Sequence, residues 1–208
     1  MAPPRPVVFV VDDDASVRKS LARLVKTAGY EAEVFASVSE FLARAPFEGP
    51  GCLLLDVRMP GRTGLDLQET LRAAGRRLSI VFITGHGDVG SSVTAMKGGA
   101  VDFLTKPLDE GALLTAIRQA VGRTIDEQAE QGRVTAVRTC VATLTPREAE
   151  VFALVVTGML NKQIGAQLGI AEKTVKVHRA RVMEKMQAGS LAQLVRLAGT
   201  GGIIAARA

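Results

Sequence analysis

Four apolar runs in this chain end in side chains that can hold or accept negative charge. Residues 7–11 run into Asp12-Asp13-Asp14, residues 52–55 into Asp56, residues 80–83 into Thr84, and residues 101–104 into Thr105-Lys106-Pro107. Taken singly, each has a plain explanation: an Asp run makes a solvated turn, a Thr closes a strand, a Lys is exposed. Taken together they put carboxylates, a hydroxyl and an ammonium after runs of the same kind. Clustered carboxylates repel, and a hard cation such as magnesium holds them ionised together through oxygen ligands. A carboxylate beside such an ion can attack phosphorus and form an aspartyl phosphate, with the Lys and Thr offered to the phosphoryl oxygens. An ionised carboxylate needs no general base. His86, two residues after Thr84, reads as a loop residue and not a catalyst.

For these groups to meet, the runs must be parallel strands whose carboxyl ends share one edge. Five strand-like runs, at 7–11, 31–35, 52–55, 80–83 and 101–104, alternate with segments of helical spacing. Val17, Leu21, Leu24 and Val25 mark the first helix, with Gly29 where it would stop. Phe41 and Leu42 mark the second behind a Ser39 cap, and Leu65, Leu67 and Leu71 the third. The fourth carries Val93, Ala95 and Met96, and the fifth Leu113, Leu114, Ile117 and Val121. Such alternation predicts an α/β, (βα)5 doubly wound parallel sheet, whose ligands bind at the carboxyl ends of the strands. Gly85, Gly87 and Gly90 with Ser91-Ser92 predict either a mobile turn after the fourth strand or a merely flexible surface loop.

The 208 residues suffice for two domains, and 47% apolar with 23% charged residues is ordinary for a globular protein. No run approaches the ~20 apolar residues of a membrane helix, and the opening residues lack the apolar core of a secretory signal, so a cytoplasmic location is expected. Cys52 and Cys140 are expected to be reduced thiols. Charge is unevenly divided. Residues 1–141 carry 17 basic and 17 acidic side chains, whereas residues 142–208 carry 9 and 4, so the net +5 belongs to the last third. That asymmetry points to a polyanion-binding module.

The segments Val11-Asp12-Asp13-Asp14, Leu55-Asp56-Val57-Arg58-Met59-Pro60-Gly61, Ile83-Thr84-Gly85-His86-Gly87-Asp88 and Asp102-Phe103-Leu104-Thr105-Lys106-Pro107 resemble the signatures of a response-regulator receiver domain. The resemblance implies that Asp56 accepts a phosphoryl group from a sensor histidine kinase. It implies Mg2+ held by Asp12, Asp13, Asp56 and the main-chain oxygen of Arg58. Thr84 would move toward the phosphoryl oxygen, Lys106 would pair with it, and the Lys106-Pro107 bond would be cis. Phe103 matches the aromatic switch position, although an ordinary core ring explains it as well. In that family the fourth helix and fifth strand form the dimer face, here about residues 89–99 and 101–105.

Residues 123–141 turn polar and predict a linker, partly helical, that frays near Gly132. At Leu144-Thr145-Pro146-Arg147-Glu148 a helix start is written clearly: Thr145 caps, Pro146 suits the first turn and Glu148 completes a capping box. After Gly158, a short helix with Ile164 and Leu168 ends at Gly169, and a further helix spans about residues 172–187. The brief turn between them is that of a helix-turn-helix. In the latter helix Val175, His178, Val182 and Met186 share an apolar face, while the opposite side is basic, as suits a helix in the major groove.

Residues 144–198, above all Asn161-Lys162-Gln163-Ile164-Gly165 and Thr174-Val175-Lys176-Val177-His178, are similar to the LuxR/FixJ/NarL type of helix-turn-helix. By that likeness Lys176 and Val177 reach base edges, Lys173, Thr174 and Arg179 contact backbone or bases, and residues 190–195 would be a fourth helix, often used for dimerisation. Arg181 and Lys185 complete the expected DNA-binding set. Ala171 stands where such helices often carry a Ser cap, and Ala180 where some relatives read a base with Lys.

The domains are therefore expected at 1–122 (receiver), 123–141 (linker) and 142–208 (all-α helix-turn-helix). The expected function is a transcriptional response regulator that dimerises on phosphorylation and binds double-stranded DNA, with RNA polymerase as a further partner. An enzyme that turns over through Asp56, such as a phosphatase, would place a second acid two residues on, where Arg58 stands.

Overall fold

The computed structural model describes residues 5–47, 49–76, 78–85 and 89–202. It divides into two compact units, Met1–Gln128 and Ala129–Ala208.

In the first unit five strands, β1 (Val7–Val11), β2 (Glu31–Phe35), β3 (Gly51–Asp56), β4 (Ser79–Thr84) and β5 (Asp102–Thr105), form one parallel sheet in the order β2-β1-β3-β4-β5. β1, β3 and β4 are buried along their whole length, which is why they read as unbroken apolar runs and not as alternating patterns. Alternate residues supply two cores. Phe9, Leu53, Leu55 and Phe82 face α2 (Val38–Ala43), α3 (Gly64–Ala73) and α4 (Val89–Lys97). Val8, Val10, Leu54 and Ile83 face α1 (Ala15–Thr27) and the start of α5 (Glu110–Ala142). Helix α1 starts where Asp14 accepts the N–H groups of Ser16 and Val17, and α3 where Thr63 and Asp66 form a reciprocal capping box. The strand order reverses direction between β1 and β3, and the carboxyl ends there form the crevice of an open α/β sheet.

Three expectations need correction. The cap of α2 is Ser37, whose side chain accepts the Glu40 N–H, and Ser39 lies inside the helix. Gly90, Ser91 and Ser92 do not lie in a turn but in the first turns of α4. Nor does the polar stretch fray at Gly132: α5 is continuous through it. A mid-helix Gly costs about 1 kcal/mol against Ala. Good helix formers on both sides, an Arg133–Glu130 ion pair and the burial of Val137 outweigh that cost. His86, Gly87, Asp88 and residues 203–208 fall outside the described residues.

The second unit holds α6 (Pro146–Val155), α7 (Asn161–Leu168), α8 (Glu172–Lys185) and α9 (Leu191–Thr200). Val151, Phe152, Ile164, Val175, Val182, Met186 and Leu194 make its core. Thr145 and Glu148 cap α6 reciprocally, with Pro146 in the first turn. Gly169, in the left-handed region at φ 67°, ends α7. Gly165 allows the chain after α7 to pass close, since a Cβ there would stand 2.7 Å from the Ile170 carbonyl oxygen. The α7–turn–α8 pair is thus a helix-turn-helix. Both cysteines are free; Cys52 is fully buried, which pushes its thiol up to about 12. Among the described residues no helix is long and apolar enough to cross a membrane.

Candidate functional site: an acidic pocket and a basic helix

Asp56 is the last residue of β3 and Asp12 the first after β1, so the parallel register of these neighbouring strands sets the two carboxylates side by side. Both are almost wholly buried. One cation serves both: Lys106 Nζ donates to Asp12 Oδ2 at 2.7 Å and to Asp56 Oδ1 at 3.0 Å. The lysine follows β5 directly, its main-chain N–H donates to the Thr84 carbonyl at 2.7 Å, and the Lys106-Pro107 bond is cis. The remaining carboxylate oxygens accept main-chain N–H groups, Asp12 Oδ1 from Asp14 at 2.9 Å and Asp56 Oδ2 from Arg58 at 2.7 Å.

Electrostatics follow from this enclosure. Burial raises the Asp56 carboxyl above its usual range; hydrogen bonding and charge from Lys106 work against burial, and Asp12 adds to the rise. Burial also works against the Lys106 charge, but its bonds to Asp12 and Asp56 outweigh that and hold the ammonium above its ordinary value. The pocket therefore concentrates two carboxylates that a single cation neutralises only in part.

Thr84 ends β4, buried, beside Thr105 in the β4–β5 register. Phe103 is half-buried on β5 with its ring 6.2 Å from that of Phe82. Asp13 is exposed beside Asp12. Among the described residues no group of three or more His, Cys, Asp or Glu side chains converges. Two buried carboxylates with oxygen donors only nevertheless fit a hard divalent ion, because magnesium binds through one or two carboxylates and keeps several waters. Arg18 escaped the sequence reading: its Nη1 donates to the Asp12 carbonyl at 2.7 Å, fixing the strand end from the first turns of α1. A cation six residues after Asp12 was the available signal.

On α8, Lys173, Thr174, Lys176, Val177 and Arg181 are exposed, whereas Val175, Val182 and Met186 are buried. Lys176 makes an exposed ion pair with Glu172 at 3.2 Å, a contact of small worth that leaves the ammonium available to a polyanion. Arg179 is half-buried and donates to Asn161 Oδ1 at 3.2 Å, across to the start of α7. Lys185 points inward, donating to Glu148 Oε2 at 2.6 Å and to the Thr143 carbonyl at 2.9 Å. Glu148 is a second residue whose tertiary role the sequence did not show beyond its cap. His178 packs with its Nδ1 buried and without a hydrogen-bond partner, in keeping with an inward face. Ala171 caps α8 without a side-chain bond.

Comparison with known proteins covers both units. Residues 8–118 match the family model of the response regulator receiver domain, and residues 142–198 that of bacterial regulatory proteins of the luxR family. The chain is 47% identical over 199 residues to nodulation protein W of Bradyrhizobium diazoefficiens, covering 96% of this chain and 88% of that protein. It is 43% identical over 197 residues to the transcriptional regulatory protein FixJ of Azorhizobium caulinodans, covering 94% and 93%. The solved structure of the response regulator StyR superposes with a TM-score of 0.85 at 47% identity, over 94% of this chain and 99% of that one.

Proposed function

Because the chain belongs to the response regulators that join a receiver domain to a LuxR-type DNA-binding domain, and so is a transcriptional regulator, we propose that Asp56 is its phosphoacceptor. The observation that carries this reading is the single Lys106 ammonium shared by Asp12 and Asp56. In the reaction an Asp56 carboxylate oxygen attacks the phosphorus of a phosphohistidine on a sensor histidine kinase. A P–O bond forms, the P–N bond breaks, and its electron pair returns to the imidazole, which takes up a proton. Lys106 and Thr84 lie on the same edge to receive the phosphoryl oxygens. Asp12, Asp13, Asp56 and the main-chain oxygen of Arg58 would hold Mg2+, which when bound offsets the charge on the phosphoryl group. Arg58 stands where a phosphatase would keep its second acid, which favours Asp56 as an input over a turnover catalyst.

The output lies on α8. Lys173, Thr174, Lys176, Val177, Arg179 and Arg181 form the face that enters the major groove of double-stranded DNA, while Lys185 braces the helix from within. Exposed Val89, Val93 and Met96 give α4 an apolar stripe, and with Phe103 on β5 they suit a face for a phosphorylation-dependent homodimer acting on a two-fold site. A cytoplasmic protein meeting RNA polymerase at the promoter accords with this role. We further propose the domain limits 1–122, 123–141 and 142–208. Intact-mass measurement with magnesium and a small phosphodonor tests the phosphoacceptor: wild type gains one phosphoryl group and Asp56→Asn gains none. A persistent adduct in the variant would overturn the assignment.

A further inference from the structure

Helix α3 starts directly on the backbone that carries Asp56. Gly64, its first residue, donates its N–H to the Val57 carbonyl at 3.1 Å. A Cβ at Gly64 would stand 2.3 Å from the Asp56 carbonyl oxygen and 3.0 and 3.1 Å from Leu55 and Phe82, so helix and strand end touch with no slack. The Thr63–Asp66 capping box ties the first turn to the same loop. One turn further on, Gln68 is buried, and its Nε2 donates to the Ala95 carbonyl at 2.9 Å. That carbonyl belongs to the last turns of α4 and also accepts the Ala100 N–H at 3.1 Å. The carboxamide fills the space under Gly98, where a Cβ would come within 2.4 Å of Gln68 Oε1. Close packing of this kind transmits displacement instead of absorbing it, and without Gln68 the Ala95 carbonyl keeps the Ala100 N–H but loses the donor that ties α4 to α3.

We propose that Gln68 is a positioning residue of the phosphorylation switch, holding the last turns of α4 on α3 so that movement of the Asp56–Gly64 segment reaches the exposed Val89, Val93 and Met96. This rests on Asp56 being the phosphoacceptor. The route is separate from Thr84 and Phe103, since it leaves the site through the residues after β3 and not through β4 and β5. A contact shifts an equilibrium only through a difference between its end states. Removing the Gln68 donor therefore reduces the difference that phosphorylation makes at α4, without touching the chemistry at Asp56.

The test uses the full-length protein with magnesium and acetyl phosphate, reading adduct yield by intact mass and amide hydrogen exchange across residues 89–99. In wild type the adduct changes exchange in α4. In Gln68→Met, which keeps the length and loses the donor, the adduct yield stays as in wild type and the exchange change falls about fivefold. Gln68→Leu, apolar and also without the donor, serves if the Met variant does not fold. An undiminished α4 response in either folded variant overturns the proposal, as does a wild-type adduct with no α4 response. Absence of any adduct on wild type instead overturns the phosphoacceptor reading, and this proposal with it.

Discussion

Lys185, at the end of α8, places its ammonium 2.6 Å from Glu148 in the first turn of α6, and so ties the recognition helix to the helix that backs it. Of the cations expected on the DNA face, this one, half-buried, is engaged by acceptors of its own protein. The carboxylate is buried, and the Lys185 bond, ahead of the Thr145 N–H, holds its pKa down at about 2. A depressed carboxyl stabilises the folded state above its unfolded pKa, and the contribution is lost as pH falls toward the folded value. The second unit should therefore lose stability between about pH 4.5 and about pH 2. Thermal unfolding of wild type and Glu148→Gln across that window checks it: the gap between them narrows as pH falls.

Lys106→Ala should leave Asp12 and Asp56 as neighbouring buried carboxylates without their shared cation. Breaking an enclosed pair costs about 3–5 kcal/mol. Because Lys106 is about a quarter exposed, a loss of about 1–3 kcal/mol is expected in urea unfolding at neutral pH. Asp12→Asn in the same background should restore part of it. The Asp56 carboxyl should titrate higher still, since both lowering contributions of Lys106 are gone. DNA contact by the second unit should be spared, but no longer respond to phosphodonor.

Lys176→Ala should weaken specific DNA binding by about 1–3 kcal/mol, the scale of one good base contact, with little effect on stability because its Glu172 pair is exposed. Lys185→Ala should do the reverse, lowering the melting temperature of the second unit while leaving the salt dependence of binding nearly unchanged. Titrations at several salt concentrations separate them. Equal losses of affinity in the two variants would contradict the inward placement of Lys185.

Ala171→Ser should stabilise α8. The position is extended, at φ −63° and ψ 143°, and no side chain bonds the first-turn N–H groups. A Ser there supplies the missing acceptor, worth about 0.5–2 kcal/mol. The midpoint of urea unfolding should rise with an unchanged slope.

The sequence by itself determined the strand–helix alternation, the strand ends that carry Asp12, Asp56, Thr84 and Lys106, the capping box at Thr145 and the helix-turn-helix. These are legible because period, punctuation and caps are local, and because strands buried on both faces leave unbroken apolar runs. Tertiary structure decided what those residues do to one another. That Lys106 bridges two carboxylates, that Arg18 holds the Asp12 carbonyl, that Lys185 turns inward to Glu148 and that Gln68 reaches Ala95 all depend on separations of 6 to 94 residues closed only by packing. A side chain's partner is set by which surfaces the fold brings within 3 Å, and spacing along the chain does not encode that. The helix through Gly132 makes the same point: local propensity favoured a break, and burial of Val137 with the surrounding helix formers prevailed.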